Sequence, residues 1–185
     1  TNFATGEVIY DITLPDGMIH ELYDYSKKEH TGILTYDAGK IVAHSDTDPY
    51  ITIDAKGCDI PIWVPEDFHR DVKFAGNKCI LTGDPAHLEK LEKKAAKDFE
   101  GRLSVYRSEG FYLEMMPLGV DKAYGVAKLL ERLGYRRSQM VCCGDGFNVA
   151  MANAPEQLKE KADYVAPSCD EDGLVDVITR FIKDW

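Results

Sequence analysis

The segment QMVCCGDGFN, residues 139–148, decides the fold. Its apolar first half (139–143) reads as a short buried strand, and Gly-Asp-Gly then places Asp145 on a tight turn at that strand's carboxyl end, where α/β sheets bind ligands. On the amino side a helical pattern covers 120–133 and closes at Gly134. On the other side follow a short helix after Pro155, the strand DYVAP (163–167) and a final helix. In that helix Leu174, Val177, Ile178, Phe181 and Trp185 recur at helical spacing after the capping candidate Asp170. Helix alternating with short apolar strand predicts a parallel α/β layer.

Upstream the pattern is different. GEVIYDITL (6–14) is rich in β-branched residues and predicts a strand. After Pro15-Asp16-Gly17, a helix should bury Met18, Ile19, Leu22 and Tyr25. TGILTYD (31–37) and KIVAH (40–44), joined by Ala38-Gly39, read as a hairpin, whereas 46–77 is rich in Pro, Asp and Gly and yields no element. KCILTG (78–83) is a strand candidate. Asp84-Pro85 supplies a cap and a first-turn proline for a helix carrying Leu88, Leu91, Ala95 and Phe99 on one stripe. RLSVYRS and GFYLEMM then pair through Glu109-Gly110, and a join between two regions falls near 114–119.

The chain has 185 residues, 44% of them apolar and 29% charged, with a formal net charge of −10. This is globular usage, too short for an ordinary (β/α)8 barrel, and the acidic field opposes nucleic acid and anionic lipid. No apolar run approaches a membrane span, and the stretch TNFATGEVIY carries neither a basic n-region nor an apolar h-region. Five cysteines, two adjacent at Cys142 and Cys143, fit buried thiols in a reducing cytoplasm better than a disulfide framework.

A lone carboxylate on the Gly-Asp-Gly turn suits Mg²⁺, a hard cation that takes one or two protein carboxylates and fills its shell with water and phosphate oxygens. Asp145 also satisfies the plainer role of turn residue or helix cap. Lys122 lies in the first turn of the helix 120–133, where the dipole disfavours a cation and attracts anions. It fits a lysine facing a phosphoryl group, or an exposed lysine whose dipole cost is offset by Asp121. Asp84 is explained as a helix cap. The histidines show no HxxxH or HxH pairing and the cysteines no CxxC, which leaves zinc without support. No arginine-closed anion loop follows Cys142 or Cys143, and no GxSxG, Walker or GxGxxG pattern occurs.

Taken together, PLGVDKAYGVAKLLERLGY (117–135), MVCCGDGFN (140–148) and VAMANAPEQLKEKADYVAPSCDEDGLVDVI (149–178) closely resemble the carboxyl-terminal part of haloacid dehalogenase (HAD) superfamily phosphatases of the Cof type, which carry a large C2-type cap. The resemblance extends back to about residue 78 and, more faintly, to GEVIYDITLP. It implies a Rossmann-like HAD core, incomplete in this chain, with an α+β cap. Residues 1–5 would end an amino-terminal core segment, 6–112 form the cap, and 113–185 the carboxyl-terminal half of the core. Lys122 corresponds to the family lysine that holds the phosphoryl group, Asp145 to the Mg²⁺ ligand, and Asn148 to the phosphate-contacting asparagine of the GDxxN motif. Asn153 matches a family position near the site, although a cap ahead of the helix at Pro155 explains it more simply.

Two departures stand out. The family nucleophile sits in an amino-terminal DxDGT, absent from these 185 residues along with the Ser/Thr motif after it, and Asn148 runs directly into VAMANA where the family has another Asp and a short helix. Lys122 and Asp145 can position and neutralise a phosphoryl group but cannot attack it, so the printed chain by itself is expected to be inactive, with a longer working protein the preferred explanation. The resulting expectation is a cytoplasmic Mg²⁺-dependent phosphohydrolase acting on a small phosphorylated metabolite of sugar-phosphate type, without nucleic acid or membrane partners. The alternative is a HAD-like protein that binds phosphometabolites without turning them over. The cap would choose the leaving group.

Overall fold

The computed structural model describes residues 5, 7–8, 10–136, 143–144, 149–154, 156–160 and 162–181. It divides into two compact units, Thr1–Gly125 and Val126–Trp185. Residues 112 and 113, where the cap is expected to give way to the core, both lie in one paired strand of the first unit.

The first unit is built on a six-stranded sheet in the order β3-β2-β1-β4-β6-β5. Helix α1 (Met18–Lys28) opens after Gly17, whose φ of 75° suits a glycine, and buries Met18, Ile19, Leu22 and Tyr25 as its spacing predicts. Strands β1 (Gly32–Asp37) and β2 (Lys40–Ala43) form the expected antiparallel hairpin. Ala38 and Gly39 both take positive φ at its turn, the backbone a two-residue hairpin demands. Strand β4 (Cys79–Thr82) pairs antiparallel with β1, and helix α4 (Pro85–Asp98) starts on the Asp84 cap, whose Oδ1 accepts from the amides of Ala86 and His87. Strands β5 (Leu103–Glu109) and β6 (Tyr112–Pro117) complete the sheet, β6 lying between β4 and β5.

The stretch 46–77 holds three elements: α2 (Pro49–Cys58), the two-residue β3 (Ile62–Trp63) parallel to β2, and α3 (Phe68–Asp71). Asp48 and Asp67 cap the two helices with side-chain oxygens. Asp48-Pro49 repeats the cap-proline signature of Asp84-Pro85, so a local signal for α2 was available. The predicted strand at 6–14 is not formed among its described residues. Two of its backbone groups are met otherwise: Leu14 N–H donates to Gly76 O at 2.8 Å and Asn77 Nδ2 donates to Ile12 O at 2.7 Å. With those needs satisfied by a loop and side chains, β propensity alone does not make a strand.

Alternation along the strands sends side chains to two separate cores. Helices α1 and α4 cover Ile33, Val42, Cys79, Leu81, Leu103, Leu113 and Met115 on one face. On the other face Ile51 of α2 packs with Leu34, Ile41, Ala43, Ile80 and Tyr112. Each fully buried aliphatic contributes about 1.5–3 kcal/mol relative to exposure, so these faces carry most of the unit's stability.

Helix α5 (Lys122–Leu133) follows β6 and ends at Gly134, as expected. In the second unit β7 (Cys143–Gly144), β8 (Val149–Met151) and β9 (Tyr164–Ala166) are all parallel, the predicted layer. Residues 139–142 of the expected strand lie outside the described residues. Helix α6 (Glu156–Lys159) falls between β8 and β9, and α7 (Gly173–Phe181) closes the chain. The α7 stripe is narrower than its spacing predicts, because Val177 is buried with Val149, Met151 and Ala166 whereas Leu174 is half exposed. Asp170 does not cap it. Ser168 and Glu171 form a capping box on a 3-10 turn, and α7 begins only at Gly173.

Candidate functional site

Lys122 is the first residue of α5 and is exposed. The preceding Asp121 accepts the Tyr124 amide proton on Oδ1 at 2.7 Å, so the helix start is capped without the lysine. Among the described residues no hydrogen bond or ion pair engages the Lys122 ammonium, which leaves it available to an anion. Asp145 and Asn148, the other two expected site residues, lie outside the described residues. Asn153 is described: its Oδ1 accepts from the backbone N–H of Cys169 at 3.3 Å, tying the loop after β8 to the loop after β9. That puts it at the carboxyl ends of two parallel strands, the ligand-binding edge of such a sheet, while Pro155, where the cap is expected, lies outside the described residues.

The first unit holds a polar array that the sequence did not single out. Ile80, Glu114 and Tyr106 are direct cross-strand partners on β4, β6 and β5, and so share one sheet face. Lys78, two residues before Ile80, points the same way. Beyond the reach of α2, Lys78, Ser104, Tyr106 and Met116 stay partly exposed on this face. Glu114 is 93% buried, its exposure being 7%. Its Oε1 accepts from Ser108 Oγ at 3.0 Å and from Lys78 Nζ at 3.4 Å, and its enclosed Oε2 lies 3.1 Å from Lys78 Nζ without hydrogen-bond geometry. Lys78 also stands 5.4 Å over the Tyr36 ring, whose hydroxyl donates to Asp54 on α2 at 2.6 Å.

The array leads back to Lys122. Partial burial raises the Tyr106 phenol above its ordinary range, and the carboxylates of Glu114 and Asp121 push the same way. Tyr106 therefore stays a protonated donor beside Glu114, its cross-strand partner. Ser104 Oγ accepts the Gly119 amide proton at 2.9 Å, holding the turn between β6 and α5 against β5. Gly119 has a φ of 73°, a left-handed turn that favours glycine. Spacings of 28 and 8 residues from Lys78 to Tyr106 and on to Glu114 carry no periodic signal, and only strand register brings the three together.

Among the described residues no cluster of three or more His, Cys, Asp or Glu side chains could hold a metal ion, and no helix is long and apolar enough to cross a membrane.

Comparison with known proteins places these observations. A family model for haloacid dehalogenase-like hydrolases matches residues 1–178. The crystal structure of a haloacid dehalogenase-like hydrolase from Bacteroides thetaiotaomicron superposes with a TM-score of 0.88 at 34% identity, covering 98% of this chain and 72% of that one. A Thermotoga maritima protein shares the fold with a TM-score of 0.78 at 24% identity, over 97% of this chain and 72% of that one. The 5-amino-6-(5-phospho-D-ribitylamino)uracil phosphatase YcsE of Bacillus subtilis (strain 168) is 31% identical over 106 residues, 51% of this chain and 40% of the relative.

Proposed function

Because the chain belongs to the haloacid dehalogenase-like hydrolase family, we propose that it forms part of a Mg²⁺-dependent phosphohydrolase acting on a small phosphorylated metabolite of sugar-phosphate or related monoester type. The observation that carries this reading is Lys122, an exposed ammonium at a helix start that Asp121 already caps. A lysine in that position stabilises nothing in the helix and suits the oxygens of a phosphoryl group.

Asp145 would supply a hard oxygen ligand to Mg²⁺, and Asn148 a side-chain amide to the phosphate. A carboxylate donor on a glycine-flanked turn is the right chemistry for that ion. When bound, the cation offsets negative charge on the phosphoryl oxygens. Lys122 would do the same from the side of α5, holding the group in place by donating its N–H bonds. The aspartate that attacks phosphorus in the family's DxDGT motif is not among these residues, and this chain's part is to bind, orient and neutralise. The six-stranded unit is assigned the role of cap, excluding water and selecting the leaving group. The phosphorylated ribityl group in the name of the B. subtilis relative's substrate supports a polyol-type monoester. Unpaired Cys58, Cys79 and Cys169 support a reducing, cytoplasmic setting.

The test is hydrolysis of p-nitrophenyl phosphate by the full-length protein in Mg²⁺. Activity abolished by EDTA and by Asp145→Ala is the expected result, and full activity of Asp145→Ala ends the proposal. Phosphate binding without turnover would favour the non-catalytic reading.

A further inference from the structure

We propose that Lys78, Tyr106 and Glu114 form a subsite for a neutral, hydroxyl-bearing leaving group, an inference that rests on the phosphohydrolase reading above and names the substrate class it takes. The three side chains stand side by side on one face of the six-stranded sheet through the Ile80–Glu114–Tyr106 register. They offer complementary groups. The Tyr106 hydroxyl has no hydrogen-bond partner among the described residues, although the residue is partly buried. Lys78 is 31% exposed, and among the described residues its ammonium engages Glu114 and the face of Tyr36 alone, which leaves an N–H donor for a ligand. Glu114 is held rigid by Ser108 and Lys78, which take up its Oε1 while its Oε2 is enclosed, so its part is to fix and neutralise Lys78. The Lys78 ammonium donates and the Tyr106 hydroxyl both donates and accepts, which matches hydroxyl groups that each donate once and accept once.

The charge pattern selects against a second anion. Lys78 is already neutralised by Glu114, and Asp121 adds a further carboxylate on the Lys122 side of Tyr106. A leaving group carrying its own carboxylate would meet Glu114 and Asp121 with no cation on this face among the described residues to spare, Lys122 being taken by the phosphoryl group. A polyol or sugar meets donors and an acceptor only. Its phosphoryl end would lie toward Lys122, since Ser104, two residues before Tyr106 on the same face, holds Gly119 in the turn that leads into α5.

The full-length chain titrated calorimetrically in Mg²⁺ buffer with inorganic phosphate, sorbitol 6-phosphate and 2-phosphoglycolate tests this. Sorbitol 6-phosphate is expected to bind about tenfold more tightly than inorganic phosphate, the yield of one or two net hydrogen bonds, and 2-phosphoglycolate no more tightly than phosphate. Tyr106→Phe, a partly exposed change that preserves the ring, should remove most of that advantage and leave phosphate affinity unchanged. Lys78→Met paired with Glu114→Gln should do the same without leaving a buried charge alone. Equal affinity for the three ligands, or a preference untouched in both variants, overturns the subsite. Failure to bind inorganic phosphate at all overturns the phosphohydrolase reading, and the subsite with it.

Discussion

The Thr82 hydroxyl donates to Asp48 Oδ2 at 2.9 Å while Oδ1 of the same carboxylate accepts from the amides of Tyr50 and Ile51, so one side chain pins the start of α2 to the middle of the sheet. Thr82 is fully buried. Asp48→Ala therefore removes a helix cap and strands a buried hydroxyl, at an expected cost of about 2–3 kcal/mol. Asp48→Asn, which keeps an oxygen for the cap, should cost less. Urea unfolding of both variants measures it, and a loss below about 0.5 kcal/mol for Asp48→Ala would show the link to be unimportant.

Gly32 sits against the same pair. A Cβ there would fall 2.2 Å from Thr82 Oγ1, 2.3 Å from Asp48 Oδ2 and 2.7 Å from His44 Cε1. Gly32→Ala is expected to destabilise by about 1–3 kcal/mol through overpacking. Combined with Asp48→Ala it should cost less than the two changes added, because the second change vacates the space the first one needs. Strict additivity in denaturant melts would refute the shared pocket.

Lys122 and its neighbour Asp121 are expected to separate function from stability. Lys122→Ala touches an exposed side chain without a described partner and should leave unfolding free energy within about 0.5 kcal/mol, while lowering phosphate-ester turnover about 100-fold or more. Asp121→Ala removes the cap on Tyr124 N–H and should cost about 1 kcal/mol of stability. Assays of the full-length protein on p-nitrophenyl phosphate beside thermal melts check both, and unchanged turnover in Lys122→Ala would remove the lysine from the site.

Stability should fall on the alkaline side. Burial pushes the Cys79 thiol from an ordinary 9.0 up to about 12, and burial with nearby Asp54 and Asp48 pushes the Tyr112 phenol from 10.0 to about 12. Tyr36 is raised as well, by burial and by its bond to Asp54. In the unfolded chain these groups lose protons first, so from about pH 9 towards pH 12 the unfolded state holds fewer protons and gains. Urea midpoints are expected to be level near pH 8 and to drop steadily above pH 9. Tyr112→Phe should flatten part of that limb, and a midpoint constant to pH 11 would contradict it.

Gly173 tests the second unit alone. A Cβ there would approach Pro167 O to 2.0 Å, a backbone atom that cannot turn aside. Gly173→Ala should lift α7 from β9 and expose Val177, seen as faster hydrogen exchange at Val149–Met151. Unchanged exchange would show that the loop yields.

Elements whose cause is local were legible in the residues. Met18, Ile19, Leu22 and Tyr25 marked α1, Ala38-Gly39 marked the hairpin, and Asp84-Pro85 marked α4, because caps, turns and 3.6-residue stripes act within a few residues. Asp48-Pro49 carried the same signal for α2, masked by the surrounding Pro, Asp and Gly. The strand expected at 6–14 failed because pairing is supplied from outside the segment, and here Gly76 and Asn77 take two of its backbone groups instead.

Lys122 and the glycine-flanked Asp145 were visible because their chemistry is written in contiguous motifs. The sequence by itself determined an α/β layer after residue 120 and a mixed unit before it, and it names Lys122, Asp145 and Asn148 as candidates to hold a phosphoryl group. Tertiary structure alone decided that Lys78, Tyr106 and Glu114 share one surface and that Asn153 reaches Cys169. Strand register and loop packing bring together residues far apart in the chain, and no local energy term encodes such pairings until the sheet has formed.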